Sequence, residues 1–513
     1  MMYSRFLQSS LRDPAWLAVF ISILLSIINI LSDDNINSDG ILYVETARIF
    51  LEQGFQASIA HYNWPFYSVI IATVSQLTGL GFETSAHVLN VFLLGLLAYV
   101  FVRCSEALGG NHRVALFAAI LLITNIAVND YRDLIVRDFG YWAFFFTAIL
   151  FFLKYASTDD KKYALGFSIS MLLATLFRIE GIVFFVLMPA LLLFQAGHFK
   201  ERLLRCLIIS APMFIGVIAV IAYIGLSASN EVGRLFEGLN FLQRALANIS
   251  SGIAEKGKGI VAVMGYGNRS MGTESVLAIL FMILISKIYN VVGFISTIFA
   301  FSTFQSPIQR QKINSLGMFI GVIGINLFVL IVVLLASSFL SSRYAITLGL
   351  LITLLASFSL AAFFNDELEQ KLLKSKVWQQ RTKIFLSVIL IYTVLDGVIS
   401  SSASKRYLSE SGIWLKNNIS STDKLWANET SIYYYADRFV DREYSVVLYH
   451  KTLHEELPDV NIIKEQDFDY LAVRVKYKQK GFEDKITAWT GSKPIHRTSN
   501  ERGDKVLIFK LTP

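Results

Sequence analysis

The polar segment that follows the first apolar stretch holds residues that could carry chemistry. It spans residues 32–45 and reads SDDNINSDGILYVE. Asp39, Tyr43 and Ala47 have the i, i+4, i+8 spacing of one helix face, which would present a carboxylate and a phenol. Such a carboxylate can act as a general base. The alternative is that Asp39 caps an interfacial helix and Tyr43 belongs to an aromatic belt.

Three further polar clusters, at residues 129–138, 178–181 and 341–344, lie at the ends of apolar stretches. Ionisable groups at membrane depth are costly, so by default they mark a functional site or an ion pair. If the clusters converge, guanidiniums would hold a phosphate and a carboxylate would activate an acceptor. The candidate substrate-binding residues are Tyr43, Glu45, His61, Asp133, Arg137, Asp138, Arg178, Glu180, Arg343 and Tyr344.

Each of these clusters also has a purely structural explanation. Residues 129–138 could form an ion-pair lattice that ties their loop down, and Arg178 could pair with Glu180 at the end of a span. Residues 341–344 could anchor a span at the interface through a snorkelling arginine. His61 could belong to an interfacial helix. The residue types alone leave both explanations open.

The composition excludes an ordinary soluble protein. Of 513 residues, 54% are hydrophobic and 17% are charged, whereas soluble domains carry about 25% charged residues. Apolar runs of about 17–25 residues, enough to cross about 30 Å of hydrocarbon, recur along the first 400 residues. No small-residue cleavage site follows the first run, so it is predicted to be a retained span. We predict about eleven transmembrane helices, at residues 15–31, 85–103, 113–129, 139–155, 162–178, 180–196, 203–226, 275–303, 315–338, 343–364 and 384–400.

Charge determines the predicted topology. The segment 66–80 is apolar but short, and we predict an interfacial helix there, because counting it as a span would invert every later loop. With it excluded, most Lys and Arg clusters fall on one side, which the positive-inside rule identifies as the cytoplasm. The net charge of +7 is therefore no signal for nucleic acid. The N-terminus is predicted to be cytoplasmic, and the setting is predicted to be a bacterial inner membrane.

One loop departs from this charge pattern. The predicted outer loop 227–272 is rich in glycine and also basic. It could be a mobile lid over a phosphate or a surface helix that binds headgroups.

Cys104 and Cys206 both lie at predicted cytoplasmic ends of spans, so no disulfide is expected.

The last 113 or so residues are polar enough to fold in water. An amphipathic helix is predicted at 405–417 and a short helix at 432–435, with strands at 424–427, 444–449, 470–475 and 506–511. Strands that alternate with helices indicate a small α/β domain. The predicted organisation is a membrane domain, 1–400, whose first outer loop (32–84) is catalytic, and an extracytoplasmic α/β domain, 401–513. Tyr433 to Tyr435 could stack on a sugar or form the core of that domain.

The motifs in this order resemble a known family. Residues 39–43 (DGILY) after the first span, then 61–67 (HYNWPFY) and an interfacial helix, are similar to the GT-C superfamily of integral-membrane glycosyltransferases. The likeness is to the branch with the aminoarabinose transferase of lipid A and the protein O-mannosyltransferases (family 39-like). The three later clusters and the outer C-terminal domain agree with that layout. The chain departs from the family at Gly40, where many members have a second acidic residue, and at 63–65, where Asn-Trp-Pro replaces His-Pro-Pro.

The resemblance implies a sugar donor linked to a polyprenyl phosphate, an active site on the outer face, and Asp39 as the general base. We expect an inverting single displacement, with Arg178 and Arg343 holding the lipid phosphate. A retaining route with Glu45 or Asp138 as nucleophile stays open. So does a divalent metal bound by Asp39, Asp133 and Asp138. No other cofactor is predicted.

The acceptor and the class of protein also stay open. A lipid, a glycan or a protein could receive the sugar. A lipid-linked glycan ligase or polymerase would also want arginines on the outer face, although it would be expected to rest on the large outer loop. A transporter or flippase for a lipid-linked sugar would place charged residues or broken helices near mid-membrane.

Overall fold

The computed structural model describes residues 13–32, 35–226, 251–263, 271–364, 376–396, 404–420, 422–438 and 468–511. The chain divides into two compact units. The first contains Met1–Ser26, Leu89–Arg132 and Arg137–Val398, and the second contains Ile27–Val88, Asp133–Val136 and Ile399–Pro513. The predicted domain boundary at residue 400 lies outside the described residues.

Most of the described chain is helical. The helices up to residue 226 are α1 (Pro14–Ser32), α2 (Ser38–Gln53), α3 (Phe55–His61), α4 (Phe66–Thr78), α5 (Phe82–Ala107), α6 (His112–Ile123), α7 (Ile126–Asn129), α8 (Asp138–Thr158), α9 (Lys161–Phe177), α10 (Gly181–Leu187) and α11 (Phe199–Leu226). Those after it are α12 (251–263), α13 (Gly272–Val292), α14 (Phe294–Gln305), α15 (Pro307–Lys312), α16 (Leu316–Ser337), α17 (Ser342–Phe364) and α18 (Lys376–Asp396). The C-terminal elements are α19 (Arg406–Asn418), β1 (Leu425–Ala427), α20 (Thr430–Tyr435), β2 (Tyr470–Val475), α21 (Phe482–Thr490), β3 (His496–Ser499) and β4 (Lys505–Lys510).

The expected fold class, a helical polytopic membrane protein with a small C-terminal sheet, is confirmed. Within the described residues, six helices are long and apolar enough to cross a membrane: α1, α5, α8, α13, α16 and α17. Helix α17 is buried along nearly its whole length and packs against α6, α13, α14 and α16. It forms the centre of the first unit.

Three predicted spans are interrupted. The span predicted at 113–129 is divided at residues 124 and 125, between α6 and α7. The span predicted at 275–303 is divided at Gly293, whose φ of +75° is left-handed backbone that glycine adopts at no steric cost. The side-chain amide of Asn125 donates to the Val291 carbonyl just before this break, at 3.1 Å. The span predicted at 180–196 is α10 followed by a 3-10 helix, Pro189–Phe194. Hydropathy predicts burial in lipid, but it does not predict whether a helix is continuous.

The second unit joins three separate parts of the chain. The first loop, which is the segment between α1 and α5, folds into α2, α3 and α4, and α2 packs against the other two. Asn37 ties residues 133–136 to the start of α2, because its side chain donates to the Ile135 carbonyl at 3.2 Å and accepts from the Ile135 N–H at 2.9 Å. A Cβ on Gly40 would lie 2.9 Å from the Ile135 Cβ. Glycine at this position therefore allows the two segments to approach.

The C-terminal part is an α/β fold, as predicted. Its sheet has the order β1-β2-β4-β3, in which only the β1–β2 pair is parallel. Helices α19 and α20 cover one face around Tyr407 and Tyr433, and α21 covers the other around Trp426 and Ile486. The structure adds β3 and α21, which the sequence reasoning did not predict, and the strand predicted at 444–449 lies outside the described residues.

Candidate functional site

The first unit contains a buried cluster of charged side chains at the junction of α9 and α10. Arg178 is 5% exposed and Asp138 is 3% exposed. The Nη1 of Arg178 donates to Asp138, while its Nη2 and Nε donate to the two oxygens of Glu180 at 2.6 and 3.4 Å. A buried ion pair needs such additional hydrogen bonds to offset the loss of hydration. Arg178 thus uses three of its five N–H groups on protein carboxylates.

Glycines make this cluster possible. A Cβ on Gly140 would overlap the ring of Phe177, so glycine lets the start of α8 lie directly against the end of α9. Asp138 lies two residues before Gly140, and Arg178 directly follows Phe177, which brings the two charges together. A Cβ on Gly181 would lie 2.7 Å from Oγ1 of Thr175, so a second glycine permits the tight turn into α10.

Two residues at the start of α17 complete the cluster. The Arg178 guanidinium lies over the Tyr344 ring, 4.0 Å from its centroid, a cation–π contact. Arg343 approaches the second oxygen of Asp138 at 3.8 Å, and its side chain is 29% exposed. Two guanidiniums and two carboxylates give a formal charge of zero. Arg343 is the more exposed of the two cations, so it is better placed than Arg178 to meet an incoming anion.

A small cavity that is partly open to solvent lies beside this cluster. Its polar wall includes Arg178, Arg343 and Tyr344, and its apolar wall is formed by residues 329, 330 and 333 of α16. Asn326, 3% exposed, lines the same cavity. An amide in the middle of the most apolar described span is costly unless it meets a polar group. The site therefore combines two cations and the Glu180 carboxylate with an apolar wall.

More cations lie near the connection between α16 and α17. Lys287 donates to the hydroxyl of Ser342 at 3.4 Å, and Lys256 of α12 donates to the hydroxyl of Ser338. Burial raises the pKa of the Tyr131 phenol, and the nearby Arg343 opposes this shift. From the sequence, the basic outer loop 227–272 is expected to be a lid over a phosphate or a surface helix that binds headgroups, whereas Lys287 and Asn326 are not predicted. The sequence did contain a signal for each: Lys287 is a single lysine and Asn326 a single amide within a long apolar run.

The predicted residues of the first loop lie in the second unit. Asp39 is half-buried in the first turn of α2, where the helix dipole favours negative charge. Tyr43 is 4% exposed and makes ring contacts with Tyr62 and Tyr67, with centroids 5.8 and 5.1 Å apart. The predicted face of α2 is therefore largely packed, and Asp39 is its more exposed member.

Other first-loop residues have structural partners or lie at the surface. Glu45 is 5% exposed and lies 3.4 Å from Arg48. His61 is exposed at the end of α3. Glu45 thus contributes to the packing of α2, and His61 is open to solvent.

Arg132, in the loop before α8, is bound by uncharged partners. Arg132 is 1% exposed, and its guanidinium donates to Asn129 and to the hydroxyls of Ser22 and Ser26 on α1. Burial raises the pKa of the Asp133 carboxyl, and Lys405 opposes this shift. Arg132 therefore anchors α1, since polar groups of neighbouring helices satisfy its donors.

The predicted candidates fall into two groups. Asp138, Arg178, Glu180, Arg343 and Tyr344 meet in one cluster of the first unit. Arg137 belongs to the same unit. Asp39, Tyr43, Glu45, His61 and Asp133 belong to the second unit. Among the described residues, no three His, Cys, Asp or Glu side chains are arranged to hold a metal ion.

Comparison with solved structures gives the fold a context. The chain is similar to the Archaeoglobus fulgidus oligosaccharyltransferase tethered to an acceptor peptide with the NVT sequon, with 10% identity, a TM-score of 0.51, and coverage of 94% of this chain and 71% of that one. It is similar to the apo form of that enzyme with 10% identity, a TM-score of 0.50, and coverage of 93% and 71%. It also matches apo ArnT from Cupriavidus metallidurans with 12% identity, a TM-score of 0.46, and coverage of 96% and 97%.

At 10% identity, the likeness to the two oligosaccharyltransferase structures is one of fold, and it agrees with the fold that the motifs predict. No family model and no curated protein matches the sequence.

Proposed function

We propose that the protein is a glycosyltransferase that moves a sugar from a polyprenyl-phosphate-linked donor to an acceptor on the outer face of the membrane. The observation that carries this proposal is the cavity with an apolar wall from α16 and a polar wall that includes Arg343 and Arg178. Such a cavity suits an amphiphile with a phosphate head, because cations stabilise the anion while apolar side chains contact its chain. The shared fold with lipid-linked sugar transferases supports the same reaction class.

Arg178 and Arg343 have different proposed roles. Arg178 is held by Asp138 and Glu180, so it acts as a fixed positive centre and not as an open clamp. Arg343, paired with Asp138 at 3.8 Å, can turn toward a phosphate oxygen. Lys287 and Lys256 add positive charge near the same end of α17. These cations would stabilise the lipid phosphate as negative charge develops on it in the transition state.

Asp39 is the proposed general base. Its carboxylate accepts the proton of an acceptor hydroxyl, whose oxygen attacks the anomeric carbon as the bond to the phosphate oxygen breaks. The lipid phosphate leaves as a stabilised anion, so no general acid is needed. The single displacement inverts the configuration at the anomeric carbon. A lipid, a glycan or a protein could supply the hydroxyl.

The experiment is transfer of radiolabelled sugar from polyprenyl-phosphate donors in proteoliposomes. We expect Asp39→Asn to lower kcat by at least about 100-fold, in the range of general-base losses, while the donor still binds. Glu52→Gln is the matched control, since Glu52 is an exposed carboxylate on the same helix. Full activity of Asp39→Asn would remove the base assignment.

The transporter is the second candidate, and the break at Gly293 is the observation that bears on it. A broken helix can expose carbonyls that coordinate an ion. Here the Val291 carbonyl accepts from Asn125, so the protein itself satisfies that group. Movement of labelled donor across the bilayer without sugar transfer would favour the transporter over the transferase.

A further inference from the structure

A short helix of the C-terminal part contacts both ends of the first loop. Helix α20 packs against α2. The Tyr435 hydroxyl accepts from the backbone N–H of Ile36 at 3.1 Å, and the Tyr434 hydroxyl donates to Glu83 at 3.2 Å. Ile36 precedes α2 and Glu83 lies in the first turn of α5. Two adjacent tyrosines therefore bind the beginning and the end of the same loop.

The core of the C-terminal fold determines where these two tyrosines point. Tyr433 is 2% exposed, and its hydroxyl accepts from the backbone N–H of Ala427 at 2.6 Å, which ties α20 to β1. A Cβ on Gly412 of α19 would lie 2.5 Å from the Cβ of Tyr435. Glycine thus lets α19 support α20 at close range. The phenols project from a fixed base, so they lose little freedom when they bind the loop.

Charged pairs accompany the two phenols. Arg48 of α2 lies 3.2 Å from Asp437, and Lys416 of α19 lies 3.5 Å from the other oxygen of the same carboxylate. These side chains are partly exposed, and such pairs contribute little to stability. Burial and the neighbouring Glu83 carboxylate raise the pKa of the Tyr434 phenol, which keeps it a proton donor. The two partly buried phenols are therefore the specific part of the contact.

We propose that Tyr434 and Tyr435 are positioning residues that hold the first loop so that α2 presents Asp39 at one fixed place. Ile36 lies three residues before Asp39, so movement of its backbone shifts the first turn of α2. The C-terminal part would thereby act on the reaction without contacting the reacting atoms. This inference rests on the proposed function only in the role that it gives to Asp39.

The first test uses conservative substitutions. We expect Tyr435→Phe to lower kcat by about tenfold and to leave the KM for the donor within about twofold, because a small displacement of a catalytic group affects the rate more than binding. Tyr434→Phe should act in the same direction. Tyr477→Phe is the matched control, since its hydroxyl accepts from Arg502 within the C-terminal fold. Unchanged kcat in both loop variants, or an equal loss in the control, would overturn the proposal.

The second test separates positioning from general damage. Cysteines at Arg48 and Asp437, in a protein with Cys104 and Cys206 replaced by alanine, are joined by a short bismaleimide. A disulfide is not used, because these residues meet through long side chains and disulfides need close Cα atoms. The bridge should restore most of the kcat that Tyr435→Phe loses. A loss that the bridge does not restore would rule out a positioning role.

A measurement independent of transfer completes the design. Mass spectrometry of the bridged peptides gives the yield of the Arg48→Cys/Asp437→Cys cross-link with and without the two phenols. We expect a lower yield when Tyr434 and Tyr435 are both phenylalanine. An equal cross-link yield would contradict the positioning proposal, even in a protein that transfers no sugar. If the yield depends on the phenols but the wild type transfers no sugar, the result counts against the proposed function alone.

Discussion

At the scale of single residues, the two arginines of the first unit differ in burial. Arg178 donates to two carboxylates and stacks on Tyr344, whereas the Arg343 side chain lies 3.8 Å from Asp138 and is 29% exposed. From the sequence, both are expected to hold the lipid phosphate. The burial of Arg178 favours a structural role for its charge, and the exposure of Arg343 leaves its charge accessible to an anion.

This difference predicts the stability of variants. Arg178→Met should destabilise the protein by about 3–5 kcal/mol, because it leaves the buried Asp138 carboxylate without its main partner. Thermal unfolding in detergent measures the loss. Asp138→Asn in the same chain should recover part of it, since the uncompensated charge is then gone. If the double variant were no more stable than Arg178→Met, the charge would not be the cause.

Asp133 provides a prediction that depends on pH. Burial raises the pKa of this carboxyl in the folded state, so the ionised form opposes folding above that pKa. Asp133→Asn should therefore give an equal or higher Tm at pH 7.5. The advantage should shrink as the pH falls through the raised folded pKa and vanish below the unfolded value of about 3.9, where both side chains are neutral. An advantage that grows toward low pH would contradict this assignment.

At the scale of elements, glycines decide how close two helices come. Gly140 allows α8 to lie against Phe177 of α9, and Gly40 allows the segment with Ile135 to lie against α2. Both glycines are next to or near candidate site residues. The sequence shows that they are present, but it does not show which neighbour each one meets.

Gly140→Ala should lower the Tm and the transfer rate together, because the Phe177 ring must move and Arg178 follows it in the chain. Overpacking of this kind typically costs about 1–3 kcal/mol. Gly324→Ala in α16 is the control, since nothing lies within 4 Å of its added Cβ. That change should be neutral or slightly stabilising, as alanine favours a helix. Equal behaviour of the two variants would argue against the close contact.

At the scale of the whole molecule, the charge pattern predicts which ends face the cytoplasm. We expect Lys161→Cys, at the start of α9, to react with a membrane-impermeant maleimide only after the cells are permeabilised. Lys493→Cys, in the C-terminal part, should react in intact cells. Both side chains are exposed, so burial does not limit labelling. The two sites are compared in a chain without Cys104 and Cys206, and reversed labelling would invert the topology.

The amino-acid sequence by itself determined the class of this protein and the regions that matter. Apolar length predicted about eleven membrane helices, because crossing the bilayer requires a run of apolar residues that soluble proteins lack. Six of the described helices are long and apolar enough to cross a membrane. Period-2 and helical patterns located α19, α20, β1, β2 and β4 to within a residue or two of their observed bounds. The order of polar motifs was sufficient to identify the fold.

Only the tertiary structure decided which charged residues meet. The pairing of Asp138 with Arg178 joins residues 40 positions apart, and it depends on a glycine whose neighbour no local pattern reveals. Three other features also depend on which segments pack together. They are the division of a predicted span at Gly293, the cavity beside Asn326 and the contact of α20 with the first loop. Hydropathy and spacing report what a segment can bury, whereas ion pairs and breaks depend on which segments pack together in three dimensions.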